Sequence, residues 1–214
     1  MSDAGRLGGW LGLVGVFAVL GYIGNFGGGE TPKDVFYRWE TSIGTTIQYA
    51  IVLALVLLLT RDRTELLALR RPDWRAALPL VLVPLLVAYV VGGALSPFLN
   101  PGEEQGLTPD EFDGSRAAPF VASVATVVIV APVVEEILFR GLGFSLLRRF
   151  GKWQAIVAVG VAFALWHGLL EGLPILFAFG AGLTWLRART RSVYPGMLAH
   201  ALFNGLAVAA SVLL

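Results

Sequence analysis

The sequence contains no cysteine and only two histidines, His167 and His200, among 214 residues. Without cysteine, the chain forms neither a disulfide framework nor a thiolate metal site, and it has no thiol nucleophile. Charged residues are also scarce, at 14% of the chain, whereas hydrophobic residues make up 56%. Because a soluble domain carries about 25% charged residues, this composition indicates an integral membrane protein.

Long apolar segments follow one another along the whole chain. Their approximate ranges are 9–28, 44–60, 76–98, 118–145, 153–170, 173–186 and 194–213. Each approaches the ~17–25 residues that a membrane-spanning helix needs, and 173–186 is the weakest. We therefore expect an all-α, polytopic helical membrane bundle of about seven transmembrane helices. It forms one domain over 1–214, in which residues 1–98 supply scaffold helices without a cluster of ionisable groups.

The first apolar segment has a second interpretation. One basic residue, Arg6, precedes the apolar core and small residues follow it at 27–29, as in a signal peptide. We favour a retained helix, because the segment is long for a signal core and no A-x-A cleavage site follows.

Basic and acidic residues are distributed unevenly over the connecting segments. Twelve of the sixteen basic residues lie on one side if Arg6 and the connections 61–75, 148–152 and 187–191 all face the cytoplasm. The acidic connection 99–117 then lies outside. By the positive-inside rule we expect a multi-pass protein with a cytoplasmic N-terminus and an external C-terminus.

Three charged residues, Glu135, Glu136 and Arg140, lie inside the apolar segment 118–145. A charge at the centre of a membrane helix costs roughly 2.5–3.5 kcal/mol on insertion scales, so three unpaired charges approach ~8–10 kcal/mol. That cost rivals the whole stability of a typical fold, about 5–15 kcal/mol. The three residues must therefore be paired and buried between helices, which indicates an intramembrane functional site.

Helical spacing suggests a division of roles among these charges. Glu136 and Arg140 are four residues apart and share a face, so we expect them to neutralise each other as a structural pair. Glu135 is turned by about 100° from Glu136 and stays free for another task. A carboxylate in a low-dielectric site without its own cation is suited to act as a general base.

Both histidines also lie in apolar segments, at a helical depth similar to that of Glu135. His200 and Asn204 are four residues apart and therefore share a face. Glu and His together can hold and deprotonate a water, while His and Asn can donate hydrogen bonds to an oxyanion. This set favours hydrolysis of a peptide bond without a covalent intermediate, since neither Ser123 nor Thr126 accompanies the histidines along the sequence.

Two histidines and one carboxylate are also typical of a catalytic zinc site. However, the H-E-x-x-H motif is absent and the three candidates lie on three helices. We expect no metal and no other cofactor.

Three spaced motifs occur in order on successive apolar segments: Glu135-Glu136-x-x-x-Arg140, Phe163-x-x-x-His167 and His200-x-x-x-Asn204. In this respect the sequence resembles the CAAX protease and bacteriocin-processing family of glutamic intramembrane endopeptidases, whose eukaryotic member is the Ras-converting CAAX prenyl endopeptidase. The resemblance covers residues 118–205.

The resemblance implies an endopeptidase in which Glu135, with His167, activates water. It implies that His200 and Asn204 form the oxyanion side, with Glu136, Arg140 and Phe163 as structural support. It further suggests a cavity open towards the cytoplasm and the lipid. The implied partners are the bilayer and a peptide or protein substrate, with no nucleic acid, and the resemblance leaves open whether that substrate is prenylated.

Two other functions fit the same residues. In a non-catalytic scaffold or immunity protein, the polar cluster would only bind helices together. In a transporter, intramembrane Glu and His would form an ion pathway, although no inverted repeat is visible in the sequence.

Overall fold

The computed structural model describes residues 1–26, 34–99 and 112–213. Most of the predicted acidic connection 99–117 and the small residues 27–29 therefore lie outside the described residues. Within the described ranges the chain forms helices and no strand, which confirms the predicted all-α fold.

Seven helices longer than two turns make up the described part of the chain. They are α1 (Asp3–Phe26), α2 (Trp39–Thr60), α3 (Trp74–Leu95), α4 (Gly114–Phe150), α5 (Lys152–Trp166), α6 (Leu173–Thr190) and α7 (Tyr194–Leu213). Five of them, α1 to α4 and α7, are long and apolar enough to cross a membrane. The bounds agree with the predicted apolar segments within a few residues, except that α1 begins earlier and α5 is shorter.

The helix predicted from the weakest segment, α6, packs between α5 and α3. On α5, a Cβ at Gly160 would lie 3.1 Å from the backbone nitrogen of Ala181, and on α6 a Cβ at Gly182 would lie 3.0 Å from Cα of Pro84 in α3. Such close approach is possible because small residues line both contacts. The least apolar helix is thus covered by its neighbours.

Helix α4 is not a regular α-helix. It contains two π-helical segments, Thr126–Val130 and Glu136–Gly143, in which the hydrogen bonds span five residues. In each segment a side chain from another helix donates to a main-chain carbonyl. Asn204 Nδ2 donates to Val127 O at 2.8 Å, and Trp10 Nε1 donates to Leu138 O at 3.0 Å.

The helices run alternately between two ends of the bundle. At the first, which we call the arginine-rich end, the start of α1 meets the end of α2 through an ion pair between Arg6 and Asp62 at 2.5 Å. The segments 1–6, 59–70, 145–152 and 187–193 lie at this end. At the second, the opposite end, Arg116 pairs with Asp34 at 3.2 Å, and Val208 of α7 joins the aromatic cluster of 36–37 and 120. The start of α1 and the last turns of α7 therefore lie at different ends.

The outer surface of the bundle is apolar. On α3, for example, Leu82, Leu86 and Val90 are 61%, 64% and 61% exposed. A surface of this kind is unstable in water and matches the hydrocarbon of a bilayer. Together with the lengths of the helices, it identifies an integral membrane protein.

Candidate active site

Glu135 lies near the middle of α4 and is 2% exposed. Its two carboxylate oxygens have different surroundings. Oε1 accepts a hydrogen bond from the hydroxyl of Tyr49 on α2. Oε2 is buried and has no hydrogen-bond partner among the described residues. The first oxygen therefore fixes the carboxylate, while the second is available for chemistry.

Both histidines face this second oxygen. Nε2 of His167 lies 3.9 Å from Glu135 Oε2, and Nε2 of His200 lies 3.8 Å from the same atom. These separations are too long for direct hydrogen bonds and suit a bridging water. The structure thus brings together the carboxylate and both imidazoles that the sequence singled out.

The backbone sets the protonation of His167. Its Nδ1 lies 2.7 Å from the carbonyl oxygen of Phe163. A carbonyl can only accept, so Nδ1 carries the proton, and in the neutral ring Nε2 presents a lone pair towards Glu135. One turn of α5 therefore both places His167 and selects its tautomer.

Glu136 and Arg140 form the ion pair expected from their spacing. Arg140 Nη1 donates to Glu136 Oε1 at 2.8 Å, and both side chains are fully buried. Arg140 Nη2 also donates to the carbonyl of Gly180 at 2.9 Å, which ties α4 to α6. The guanidinium also lies 4.3 Å from the ring centroid of Phe163 on α5. The pair therefore links three helices, α4, α5 and α6.

Phe163 lies among the functional groups. Its ring centroid is 4.6 Å from that of His167 and 5.6 Å from that of His200, with edge-on geometry in both cases. It therefore separates the Arg140 charge from the two imidazoles and fixes their ring planes.

Glu136 also contacts α7. Its Oε1 lies 3.4 Å from His200 Nδ1 without hydrogen-bond geometry. Its Oε2 packs against Gly196, where a Cβ would overlap that oxygen. A glycine at this position allows α7 to approach α4 closely enough for His200 to face Glu135.

Asn204 has a structural contact as well as a place at the site. The hydrogen bond of its Nδ2 to Val127 O joins α7 to the first π segment of α4. Its side chain lines the same cavity as Glu135, His167 and His200. The amide carries two hydrogens, so one remains for a second acceptor.

These residues line a cavity of about 270 Å³ with two kinds of wall. One wall is apolar and includes Phe36, Leu169, Leu176, Phe179, Phe203 and Val208. The other carries the hydroxyl groups of Thr41, Ser42, Thr45, Tyr49, Ser123 and Thr126. Among the described lining residues, the ionisable side chains are those of Glu135, the two histidines and Tyr49.

The cavity extends from Glu135 towards the opposite end of the bundle. Its lining comes from the first half of α2, the first half of α4, the end of α5 with the loop that follows, the first turns of α6, and the middle of α7. By the positive-inside rule, that end is predicted to face the exterior. A cavity open to the cytoplasm, as the family resemblance suggests, is therefore incompatible with the predicted N-in orientation, because the cavity lies on the N-terminal side of Glu135 in α4.

Tyr49 is the residue that sequence reasoning missed. It lies on α2, in the part of the chain for which only a scaffold role is expected, yet its hydroxyl reaches Glu135. The available signal was the spacing of Thr41, Thr45 and Tyr49, which places three hydroxyl groups on one face of an apolar helix. Ser123 and Thr126 also line the cavity, although their distance along the sequence argued against a place near the histidines.

In the described part of the chain, the arrangement of side chains does not indicate a metal site. In residues 1–26, 34–99 and 112–213, no group of three His, Cys, Asp or Glu side chains is arranged to hold a metal ion.

Two comparisons with known proteins found similar sequences. Residues 117–206 match the family model described as "Type II CAAX prenyl endopeptidase Rce1-like". The chain is also 31% identical over 104 residues to a Bacillus subtilis (strain 168) protein named "Putative membrane peptidase YdiL". That match covers 48% of this chain and 42% of the relative, so it spans less than half of the relative's length. No solved structure matches. The matched segment 117–206 contains all three motifs, and both comparisons support the predicted resemblance to the CAAX protease and bacteriocin-processing family.

Proposed function

We propose that this protein is an intramembrane endopeptidase that hydrolyses peptide bonds of membrane-associated or lipidated substrates by means of water activated by Glu135. One observation carries the proposal: the buried Oε2 of Glu135 has no partner among the described residues and faces Nε2 of both histidines at 3.8 and 3.9 Å. The match to a peptidase family supports the same reaction.

The tautomer of His167 gives the attacking water a defined orientation. A water between Glu135 Oε2 and His167 Nε2 donates one hydrogen to each, since both atoms are acceptors. Its lone pairs are then directed away from both groups, into the cavity. This is the orientation that attack on a peptide carbonyl requires.

The proposed reaction needs no group outside this set. As the water oxygen bonds to the carbonyl carbon, its proton passes to Glu135 Oε2. The carbonyl oxygen becomes an oxyanion and accepts hydrogen bonds from His200 Nε2–H and the Asn204 amide. Glu135 then returns the proton to the leaving nitrogen as the C–N bond breaks, which regenerates the carboxylate.

The cavity walls fit a neutral peptide segment. The hydroxyl groups on α2 and α4 can satisfy the main-chain donors and acceptors of an extended peptide, which would otherwise be unpaired in the membrane. The apolar wall can receive an apolar side chain or lipid chain. No Lys or Arg is found among the described lining residues, so the segment bound there is not anchored by a free carboxylate.

A serine mechanism has weaker support. Ser123 Oγ is buried in the cavity but has no hydrogen-bond partner among the described residues. A nucleophilic serine needs a base within hydrogen-bond reach. Among the described residues, no base lies within hydrogen-bond distance of Ser123 Oγ, whereas Glu135 accepts a hydrogen bond from Tyr49.

The test compares two single variants of the purified full chain. Glu135→Gln keeps an oxygen that can accept from Tyr49 but cannot take up a proton, so we expect at least a 100-fold loss of peptide cleavage at an unchanged melting temperature. Ser123→Ala should retain turnover. A chelator added to wild type should leave cleavage intact. Comparing the membrane proteomes of cells with wild type and Glu135→Gln identifies substrates as uncut proteins.

Retention of more than a tenth of wild-type turnover by Glu135→Gln would refute the general-base role. Loss of cleavage in Ser123→Ala with activity in Glu135→Gln would indicate a serine enzyme. Loss on chelation that zinc restores would indicate a metalloprotease. A change in melting temperature for Glu135→Gln, with no cleavage by wild type on any membrane protein, would favour the scaffold function.

A further inference from the structure

Another buried charge lies far from the site, at the arginine-rich end. Arg187, in the last turn of α6, is 7% exposed, and its Nε is buried without a hydrogen-bond partner among the described residues. Its guanidinium carbon lies 5.6 Å from the ring centroid of Phe144. A buried guanidinium without a counter-charge is strongly unfavourable, so this one calls for an anion.

The charges that act on Arg187 do not supply that anion. The two residues whose charges act on it are both cations, Arg70 and Arg148. Within residues 1–26, 34–99 and 112–213, none of these three arginines has an ion pair with a carboxylate. Three positive charges therefore act on one another without a carboxylate partner in the described part of the chain.

The fold holds the three arginines together from three segments. Arg148 lies in the last turn of α4, Arg187 in the last turn of α6, and Arg70 in the loop that follows α2. Two hydrogen bonds fix that loop. Ser145 Oγ of α4 donates to Leu66 O at 2.8 Å, and Val193 N donates to Ala68 O at 3.3 Å. The cluster is thus part of the packed structure.

Membrane topology alone does not explain Arg187. Arg189, two residues further along α6, is exposed and can satisfy the preference for positive charge at this end. Arg187 instead points into the protein, where a charge is costly.

We propose that Arg70, Arg148 and Arg187 form a binding site for a phosphate group. Guanidinium groups present planar pairs of N–H donors that match phosphate oxygens. Arg187 would form the buried floor of the site, and the exposed Arg70 and Arg148 its rim. The phosphate can come from the head group of an anionic phospholipid in the adjacent leaflet or from a free phosphate in solution.

The test measures thermal unfolding of the purified full chain in neutral detergent. The probes are phosphatidylglycerol, a phosphate-free galactolipid with the same acyl chains, inorganic phosphate, and potassium chloride at matched ionic strength. We expect phosphatidylglycerol to raise the melting temperature more than the galactolipid or the chloride. Inorganic phosphate that stabilises equally and competes with the lipid would support the same site and identify free phosphate as the source.

Variants then assign the effect to these residues. We expect Arg187→Gln to weaken the apparent affinity for the probe about tenfold or more, and Arg70→Gln and Arg148→Gln about fivefold each. Arg189→Gln is the matched control on the same helix and should respond as wild type. If Arg187→Gln does not fold, the apparent affinities of Arg70→Gln and Arg148→Gln still test the proposal. The proposal would be overturned if neither phosphatidylglycerol nor inorganic phosphate raised the melting temperature. It would also be overturned if Arg187→Gln and Arg189→Gln had equal apparent affinities for the probe.

Discussion

At the scale of single residues, the site depends on the different surroundings of the two carboxylate oxygens of Glu135. Tyr49 holds Glu135 Oε1, and the buried Oε2 faces the two imidazoles. The Glu136–Arg140 contact could be predicted from the sequence, because residues four apart on a helix are neighbours. The Tyr49 contact joins residues 86 positions apart, and no local pattern encodes such a pairing.

We predict that Tyr49→Phe lowers kcat by about tenfold to a hundredfold, because a hydrogen bond to a charged group contributes about 1.5–3 kcal/mol. KM should change little, since the phenol orients the base and the ring that lines the cavity is kept. Steady-state kinetics on the purified protein separate the two constants. Tyr194→Phe, at the arginine-rich end, is the control. An equal rise in KM with constant kcat would show that Tyr49 binds substrate and does not position Glu135.

At the scale of elements, the sequence predicts the helices better than their internal geometry. The lengths of the apolar segments predict seven helices, but they do not reveal the two π segments of α4. Those segments coincide with hydrogen bonds from Asn204 and Trp10, which lie on distant helices. The π segments of α4 therefore occur where α4 packs against α1 and α7. The apolar segments of a single sequence carry no information about such contacts.

The approach of α7 to α4 leads to a prediction about glycine. Gly196→Ala places a methyl group where Glu136 Oε2 now lies. We expect overpacking of about 1–3 kcal/mol, a fall in melting temperature of about 3–10 °C, and reduced cleavage because His200 moves away from Glu135.

Gly205 on the same helix provides the control. A Cβ at Gly205 would lie 3.7 Å from Val128 Cγ1, an ordinary contact. Gly205→Ala should therefore melt at or slightly above the wild-type temperature, because alanine favours the helix. If both variants melt alike, then the contact of α7 with Glu136 does not limit packing.

At the scale of the whole molecule, the position of the cavity makes orientation decisive. The segments that carry most of the basic residues lie at one end, and the cavity extends towards the other. The charge distribution could be read from the sequence. The position of the cavity could not, because it depends on how helices distant along the sequence pack against one another.

We predict that the arginine-rich end faces the cytoplasm, as the positive-inside rule requires. The natural chain has no cysteine, so a single introduced cysteine is the only thiol. Glu40→Cys and Arg61→Cys mark the two ends of α2, and both positions are exposed. In intact cells, a membrane-impermeant maleimide should label Glu40→Cys and leave Arg61→Cys unlabelled until lysis. The reverse pattern would mean that the N-terminus is external and that the cavity faces the cytoplasm.

The cavity next to Glu135 lies in one half of the bundle, and the described residues of α4 in the other half are closely packed. Between Glu135 and the arginine-rich end, α4 carries Leu138, Phe139, Leu142 and the Glu136–Arg140 pair, all fully buried. In the proposed reaction, water therefore reaches Glu135 from one side of the membrane only. The buried side chains on the other side keep the bilayer an electrical insulator, so the proposed hydrolysis does not discharge the ion gradients of the cell.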